Sequence, residues 1–354
     1  ATKFNANIEA IAVLRAIERD GRSPTPDERV ALLRFTGWGG IPASFNLDGT
    51  DAAWKRRAQQ LSELLQPDEY ESARASVNNS HYTEPFIVRW IWAALRRLGF
   101  EGGRILDPSS GIGHFLGCMP ADIATRSRIT AVELDDMAGR MLRALYGPVG
   151  VDVRIQGLEA ATLADSSFDL VVSNVPFGNY QVSDGRNRPY SRFSIHNWFV
   201  GKALDLVRPG GLVCLITSAW FLDQRDESAR AHAASLADLV SAIRLPQGAF
   251  MRLASTDVQS DIVMLRRSQP GETSGVEWVD LDFVPDELRD PRCQDKYIQF
   301  NAWYAANPRN VLGLIDKVTR GYTPVPTAIL DGDLGAALQQ AAGLIPSGVY
   351  VPLP

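Results

Sequence analysis

Between Ser167 and Tyr180 the chain reads Ser167-Phe168-Asp169-Leu170-Val171-Val172-Ser173-Asn174-Val175-Pro176-Phe177-Gly178-Asn179-Tyr180, and this stretch constrains the fold more than any other. Its short apolar run, Leu170–Val172, is bounded by turn formers and predicts a strand buried on both faces, as in a parallel sheet covered by helices. The run ends on Asn174, a neutral amide, followed by a backbone stiffened at Pro176 and by the ring of Phe177. In open α/β sheets ligands lie outside the carboxyl ends of strands, so these groups face a crevice rather than the core. An amide oxygen, a main-chain carbonyl and an aromatic face suit a flat ring that bears an amino group. The same residues also spell an ordinary strand-end turn, with Asn opening it, Pro setting φ and Gly leaving it. What lies upstream decides between the two.

Upstream, Arg104-Ile105-Leu106-Asp107-Pro108-Ser109-Ser110-Gly111-Ile112-Gly113-His114-Phe115-Leu116 predicts a strand, an acid at its end, and a glycine turn into a helix. That layout binds nucleotide-like ligands. Asp107 selects among them, because a carboxylate repels pyrophosphate and attracts a cationic amino acid moiety. No Lys-Ser/Thr pair follows the glycines, which excludes a phosphate-binding P-loop. A second strand over Ile129–Val132 ends on Glu133 and Leu134, about 20 residues beyond the glycine loop, where an acid accepts both hydroxyls of a ribose. A third, Val153–Gln156, leads to Gly157-Leu158-Glu159, with Leu158 placed to pack on an adenine ring and Glu159 to reach its edge. Ahead of them all, His81-Tyr82-Thr83-Glu84-Pro85 precedes an amphipathic helix through about Leu98. Thr83 is the expected N-cap, and the free N–H groups of such a helix start suit a carboxylate. A ribose, an adenine and an amino acid belong together in S-adenosyl-L-methionine, the cofactor expected here.

At this point the sequence resembles the amino-group DNA methyltransferases, in the order where a Tyr-Thr-Xaa-Pro element and the Asp107 to Phe115 element precede the Asn174 to Phe177 element. More narrowly, it is similar to the methyltransferase region of large phage- and plasmid-borne proteins that often carry a helicase further on. The narrower match rests on Phe35-Thr36-Gly37-Trp38-Gly39-Gly40, Asn174-Val175-Pro176-Phe177-Gly178, Ile195-His196-Asn197-Trp198-Phe199, Ile243 to Phe250 and Asn307 to Gly313. The resemblance implies that Asp107, Pro108, Gly111, Gly113 and Phe115 line the methionine side of the cofactor, with Tyr82 and Thr83 meeting it from their helix start. It implies that Glu133 binds the ribose, and with the readings above the expected cofactor-binding set also takes in Leu134, Leu158, Glu159 and Asn174. Asn174 and the carbonyl of Val175 would accept from the amino group of a target adenine, Pro176 would stiffen the turn, and Phe177 would stack on the ring. Val175 stands where the wider family has proline. The main-chain acceptor survives that change, and only rigidity is lost.

The target base of such an enzyme must be flipped or already single-stranded. The loop 181–194 follows the catalytic strand, and its Arg186, Arg188, Arg192 and Tyr190 suit phosphate contact and stacking, with His196 beyond them touching the target or capping its helix. The formal net charge of −5 argues against wrapping nucleic acid by charge alone, and Lys55-Arg56-Arg57 reads as a solvated face. Two other readings of the same motifs are a protein-glutamine methyltransferase, whose planar amide also fits the Asn174 site, and a silent nucleic-acid-binding module.

The expected fold is α/β, a Rossmann-like seven-stranded S-adenosylmethionine-dependent methyltransferase sheet, completed by strands at 212–217, 239–245 and 262–266 and a 246–260 hairpin. A helical N-terminal extension spans 1–80, the methyltransferase domain 81–270, and a loop-rich wrap or linker 271–354. In the extension, Thr25-Pro26-Asp27-Glu28 spells a capping box. Trp38 in its glycine cluster reads equally as a packing anchor or as a site of close backbone approach. Cys118, Cys214 and Cys293 lack metal spacing and are expected as reduced thiols. No membrane span, signal peptide or metal is expected, and the location is expected to be the cytoplasm. DNA is the expected partner, with a helicase or recognition region expected C-terminal in a longer parent protein.

Overall fold

The computed structural model describes residues 2–78, 83–185, 187–250, 258–272, 277–320 and 323–353. Its centre is a seven-stranded sheet built from β1 (Arg104–Asp107), β2 (Arg128–Glu133), β3 (Asp152–Ile155), β4 (Phe168–Asn174), β5 (Val207–Ser218), β6 (Ala237–Arg244) and β7 (Ser260–Arg267). The order across the sheet is β3-β2-β1-β4-β5-β7-β6. β1 to β5 run parallel, and β7 is antiparallel to both of its neighbours. The strand order reverses between β1 and β4, which is where such sheets open a crevice at their carboxyl ends. The sequence puts a polar stop at each of those ends: Asp107, Glu133 and Asn174 close β1, β2 and β4. β4 is buried through Ser173, as its apolar run requires, and only Asn174 emerges.

The N-terminal region is helical, with α1 (Thr2–Asp20), α2 (Pro26–Leu33), α3 (Ala52–Leu64) and α4 (Pro67–Ala75). The capping box forms, with Thr25 Oγ1 accepting from the Glu28 amide and Glu28 accepting from the Thr25 amide. α5 (Pro85–Arg97) leads into β1, and the short turns α6 (His114–Gly117) and α7 (Ala121–Thr125) lead from β1 to β2. α8 (Asp136–Tyr146) then connects β2 to β3, and α9 (Ile195–Leu206) connects β4 to β5. Phe4, Leu14, Leu32, Phe35, Trp38 and Leu61 form one apolar cluster with Met137, Met141 and Leu145 of α8, so the helical preface is fastened to the sheet domain. Trp38 is the anchor of the two readings: it is wholly buried, meeting Phe35 and Phe45 edge-on, while Asn7 holds the turn by bonds to Gly37 and Thr36. Burying such a ring contributes about 2–3 kcal/mol.

The C-terminal stretch returns over the domain. It carries two small antiparallel pairs, β8 (Leu281–Phe283) with β9 (Gln299–Asn301) and β10 (Leu314–Arg320) with β11 (Thr323–Ile329), which its proline-rich sequence did not announce. Ala328 bonds to both Gln247 and Gln259 at the ends of the 246–260 connection, and Phe250 there is buried in the core. At the tail, Arg208 joins Asp169 at 2.6 Å and also reaches the Tyr350 hydroxyl and the Val351 carbonyl. Among the described residues no helix is long and apolar enough to cross a membrane, and no cluster has the makings of a metal site.

Candidate active site

A cavity of about 540 Å³ opens at the carboxyl ends of β1, β2 and β4. Of the residues singled out from sequence, Thr83, Pro108, Gly111, Phe115, Glu133, Leu134, Leu158, Glu159, Asn174 and Pro176 all line it. Residues separated by up to 93 positions are thus brought to one wall because each sits at or just beyond a strand end. Tyr82 and Arg186 lie outside the described residues.

The glycine turn is fixed by main-chain geometry. Gly111 and Gly113 have φ of +55° and +86°, in the left-handed region that a Cβ disfavours. A Cβ at Gly113 would also come within 2.5 Å of the Tyr146 ring, and the Tyr146 hydroxyl donates to the Gly113 carbonyl. Glu133 braces the same turn from the next strand: one carboxylate oxygen accepts from the Gly111 amide at 2.7 Å, the other from the Asp135 amide at 2.8 Å. Asp107 lies beneath the turn and is wholly buried. Its Oδ1 accepts from the Ser173 hydroxyl at 2.7 Å, while its Oδ2 has no hydrogen-bond partner among the described residues.

Asn174 is oriented by a residue 91 positions away. Its Nδ2 donates to Thr83 Oγ1 at 3.0 Å, which turns the amide oxygen away from that threonine. This corrects the expectation that Thr83 caps α5: the N-cap is Glu84, without a side-chain cap bond. Pro85 follows immediately and fixes the first turn through its own φ, so the threonine hydroxyl is available for Asn174. The Thr83 carbonyl meets His114 Nδ1 at 3.0 Å, and burial pushes that imidazole down, keeping it neutral.

The electrostatics of the cavity are one-sided. Its walls carry three carboxylates, Glu133, Asp135 and Glu159, and no lysine or arginine among the described residues. Burial pushes the Asp107 carboxyl up to about 7 against the bonds from Ser173, Ser109 and Ser110. Burial and the neighbouring Asp135 push Glu133 up to about 7 as well, and burial raises Asp135. Such a site favours a cation, which would restore these groups to their ionised form.

Other sequence-expected residues fall elsewhere. Val175 is buried, its amide donating to the Ile216 carbonyl of β5, and Phe177 is 8% exposed and packs in the core rather than on the cavity wall. Tyr190 is fully buried, its hydroxyl bonded to Asp205 at 2.6 Å and its ring against Trp198 and Gly201, so it offers no face for stacking. Arg188 pairs with Asp165 at 2.7 Å and with Asp205 at 3.5 Å, a local clasp that closes the loop. His196 is buried, and that burial pushes it down to about 4. Only Arg192 of these is exposed.

Sequence reading missed Asp135, Tyr180, Gln181 and the α4 residues Ser72 and Ala75, all on the cavity wall. Asp135 carried a signal, an Asp opening an amphipathic helix, and indeed its Oδ1 caps α8 by accepting from Ala138. The α4 residues carried none, because their place depends on how the helical extension docks.

No family model matches the chain. Over 264 residues it is 26% identical to the Defense against restriction protein B of Escherichia phage P1, a match covering 74% of this chain and 10% of that protein. It is 37% identical over 89 residues to the malonyl-[acyl-carrier protein] O-methyltransferase of Methylococcus capsulatus, which covers 24% of this chain and 31% of that enzyme. The chain therefore spans 10% and 31% of the length of these two curated relatives. Among solved structures, a putative class I S-adenosylmethionine-dependent methyltransferase from Listeria monocytogenes superposes with a TM-score of 0.50 at 17% identity, over 77% of this chain and 91% of that one.

Proposed function

From the premise that this chain has the class I S-adenosylmethionine-dependent methyltransferase fold, we propose that it binds S-adenosylmethionine in the 540 Å³ cavity and methylates the N6 amino group of adenine in DNA. The observation that carries the reading is the cavity wall with three carboxylates and, among the described residues, no lysine or arginine, directly beside Asn174. Polyphosphate ligands are unwelcome there and a sulfonium is welcome. The residues present fit the cofactor: Glu133 offers acceptors to ribose hydroxyls, Leu134 and Leu158 offer apolar faces to an adenine ring, and Asp107 and Asp135 supply negative charge behind the glycine turn.

Bound there, the cofactor supplies an electrophilic methyl group. The exocyclic nitrogen of adenine is a poor nucleophile because its lone pair is delocalised into the ring. Asn174, its amide turned by Thr83, and the Val175 carbonyl would accept the two amino hydrogens and favour the tetrahedral geometry in which that pair is free. No strong base is needed before attack, and the product cation gives its proton to water. The similarity over 74% of the chain to a phage protein named for defence against restriction favours DNA over a protein amide. Phe177 must leave its core position if it is to stack on a target base.

The test is incubation with methyl-labelled cofactor and either DNA, single- and double-stranded, or cell protein. Label in DNA as N6-methyladenine, lost with Asn174→Ala, supports the reading. Label in protein alone overturns it in favour of the glutamine substrate, and label nowhere leaves a binding module.

A further inference from the structure

A second cavity, of about 430 Å³, adjoins the first, and Tyr180 and Gln181 line both. Its chemistry is different. It carries Arg192 and Asp226 and the carboxamides of Asn197 and Gln224, while Asn174 is absent from its walls. Whatever it holds, therefore, is not the group that reacts.

Two observations give it an occupant. Asn197, in the first turn of α9, is 6% exposed, and its Oδ1 is buried without a hydrogen-bond partner among the described residues. A buried amide oxygen left without a donor is costly, and a ligand N–H reaching it from the cavity that Asn197 lines would remove that cost. Tyr180 is 43% exposed, and its ring lies against Gly178, where a Cβ would stand 2.6 Å from Cε1 and 2.7 Å from Cδ1. Gly178 has an ordinary negative φ, so what requires glycine there is the space the ring occupies.

Resting on the reading of the first cavity given above, we propose that the second cavity takes the base of the nucleotide next to the target adenine. Tyr180 is the aromatic partition between the two bases. A nucleotide whose neighbour has swung out of the stack loses one stacking face, and a tyrosine ring restores it at about the same spacing. Asn197 Oδ1 accepts from an exocyclic amino group, which adenine, cytosine and guanine carry and thymine lacks. Gln224 faces the same base with both a donor and an acceptor, and Arg192 meets the connecting phosphate. In this arrangement Tyr180, rather than Phe177, is the ring in place before DNA arrives.

The test uses short single-stranded oligonucleotides with one adenine and every combination of flanking bases. Methyl incorporation gives kcat/KM, and fluorescence anisotropy with S-adenosylhomocysteine present gives affinity without turnover. The expected result is that thymine on one side of the target costs about tenfold in both readouts. Asn197→Leu should reduce that preference below about twofold, Gln224→Ala should reduce it in part, and Tyr180→Leu should weaken binding in every context. Gln224 is half-exposed, so its variant folds even if the Asn197 change does not, and thermal melting checks both. Equal kcat/KM and affinity for all flanks, or a preference untouched by either carboxamide variant, overturns the subsite while leaving adenine methylation standing. Label found only in protein overturns the parent reading, and failure of every oligonucleotide to bind overturns the subsite with it.

Discussion

Two groups of buried acids sit at opposite ends of the same sheet's logic, and they are solved in opposite ways. At the end of β6 and the start of β7, Arg244 lies wholly buried between Asp223 and Asp261, at 2.6 Å from the first and in a two-point pairing with the second at 2.8 and 2.9 Å. Tyr304 stacks beneath the guanidinium at 4.7 Å, and the backbone of Asn301 donates to the other oxygen of Asp223. Burial works against the arginine's charge, but the two aspartates outweigh it and hold it ionised. At the ends of β1 and β2, Asp107 is just as buried, Asp135 nearly so and Glu133 partly buried, yet among the described residues none of them makes an ion pair. A protein that can build a closed cluster in one place and leaves three carboxyls without a cation in another is holding the second place for something that arrives from outside. The closed cluster also ties the C-terminal return to the sheet, since Asp223 serves both Arg244 and Asn301.

The largest effect that tests this contrast is on the closed cluster. Arg244→Met leaves two buried carboxylates without their cation, which costs about 3–5 kcal/mol. Urea unfolding should show it as a large drop in midpoint, with the C-terminal pairs β8–β9 released as well. At the open cluster the sign reverses. Asp107→Asn keeps the acceptor for Ser173 and removes a buried charge, so near pH 8 the cofactor-free protein should gain on the order of 1 kcal/mol in the same assay. Its affinity for S-adenosylmethionine, read by calorimetry, should fall about tenfold, because the cation loses a carboxylate that had stood unpaired. If Asp107→Asn destabilised the protein as Arg244→Met does, the two clusters would be the same kind of object and the contrast would be lost.

Much of the open site was legible before any coordinates. A short apolar run that stops on a single polar residue is a strand whose tip emerges, and Asp107, Glu133 and Asn174 each announced themselves that way. What was not legible depended on which face of a loop turned inward. Arg188, Tyr190 and Arg192 look alike in sequence, as basic and aromatic residues in a polar loop. In the fold Tyr190 goes to the core because Gly201 leaves room for its ring and Asp205 takes its hydroxyl, and Arg188 follows to the same aspartate. Phe177, expected to face a target ring, packs in the core, and Tyr180, which the sequence did not single out, lines the cavity instead. Thr83 was read as a cap from its local context, whereas its partner lies 91 residues away, a distance no window reaches. The small β8 and β9 strands, three residues each, are set by Asn301 bonding across to Leu222 and Trp278 rather than by any pattern of their own.

The smallest effect is the dependence of this contrast on pH, and it discriminates most finely. A carboxyl pushed up to about 7 in the folded protein still holds its proton where the unfolded chain, near 4, has released it. Across that window the folded state binds more protons, so stability falls as pH rises from about 4 and levels off once the pH passes about 7. Buried His196 and the partly buried His114 and His232 act oppositely, since desolvation depresses them and the unfolded chain gains protons first as pH falls below about 6.5. The total curve therefore mixes two signs. The difference between wild type and Asp107→Asn removes the imidazoles, which both proteins share. That difference should be close to zero at about pH 4 and below, grow in favour of the variant from there through pH 7, and hold steady at pH 8. The difference between wild type and Arg244→Met should change with the opposite sign, growing against the variant as pH rises, because the buried carboxylates it leaves without a cation are disfavoured once ionised. A flat difference for Asp107→Asn would mean that its carboxyl is already ionised in the folded protein, and that some cation other than an arriving ligand is balancing it.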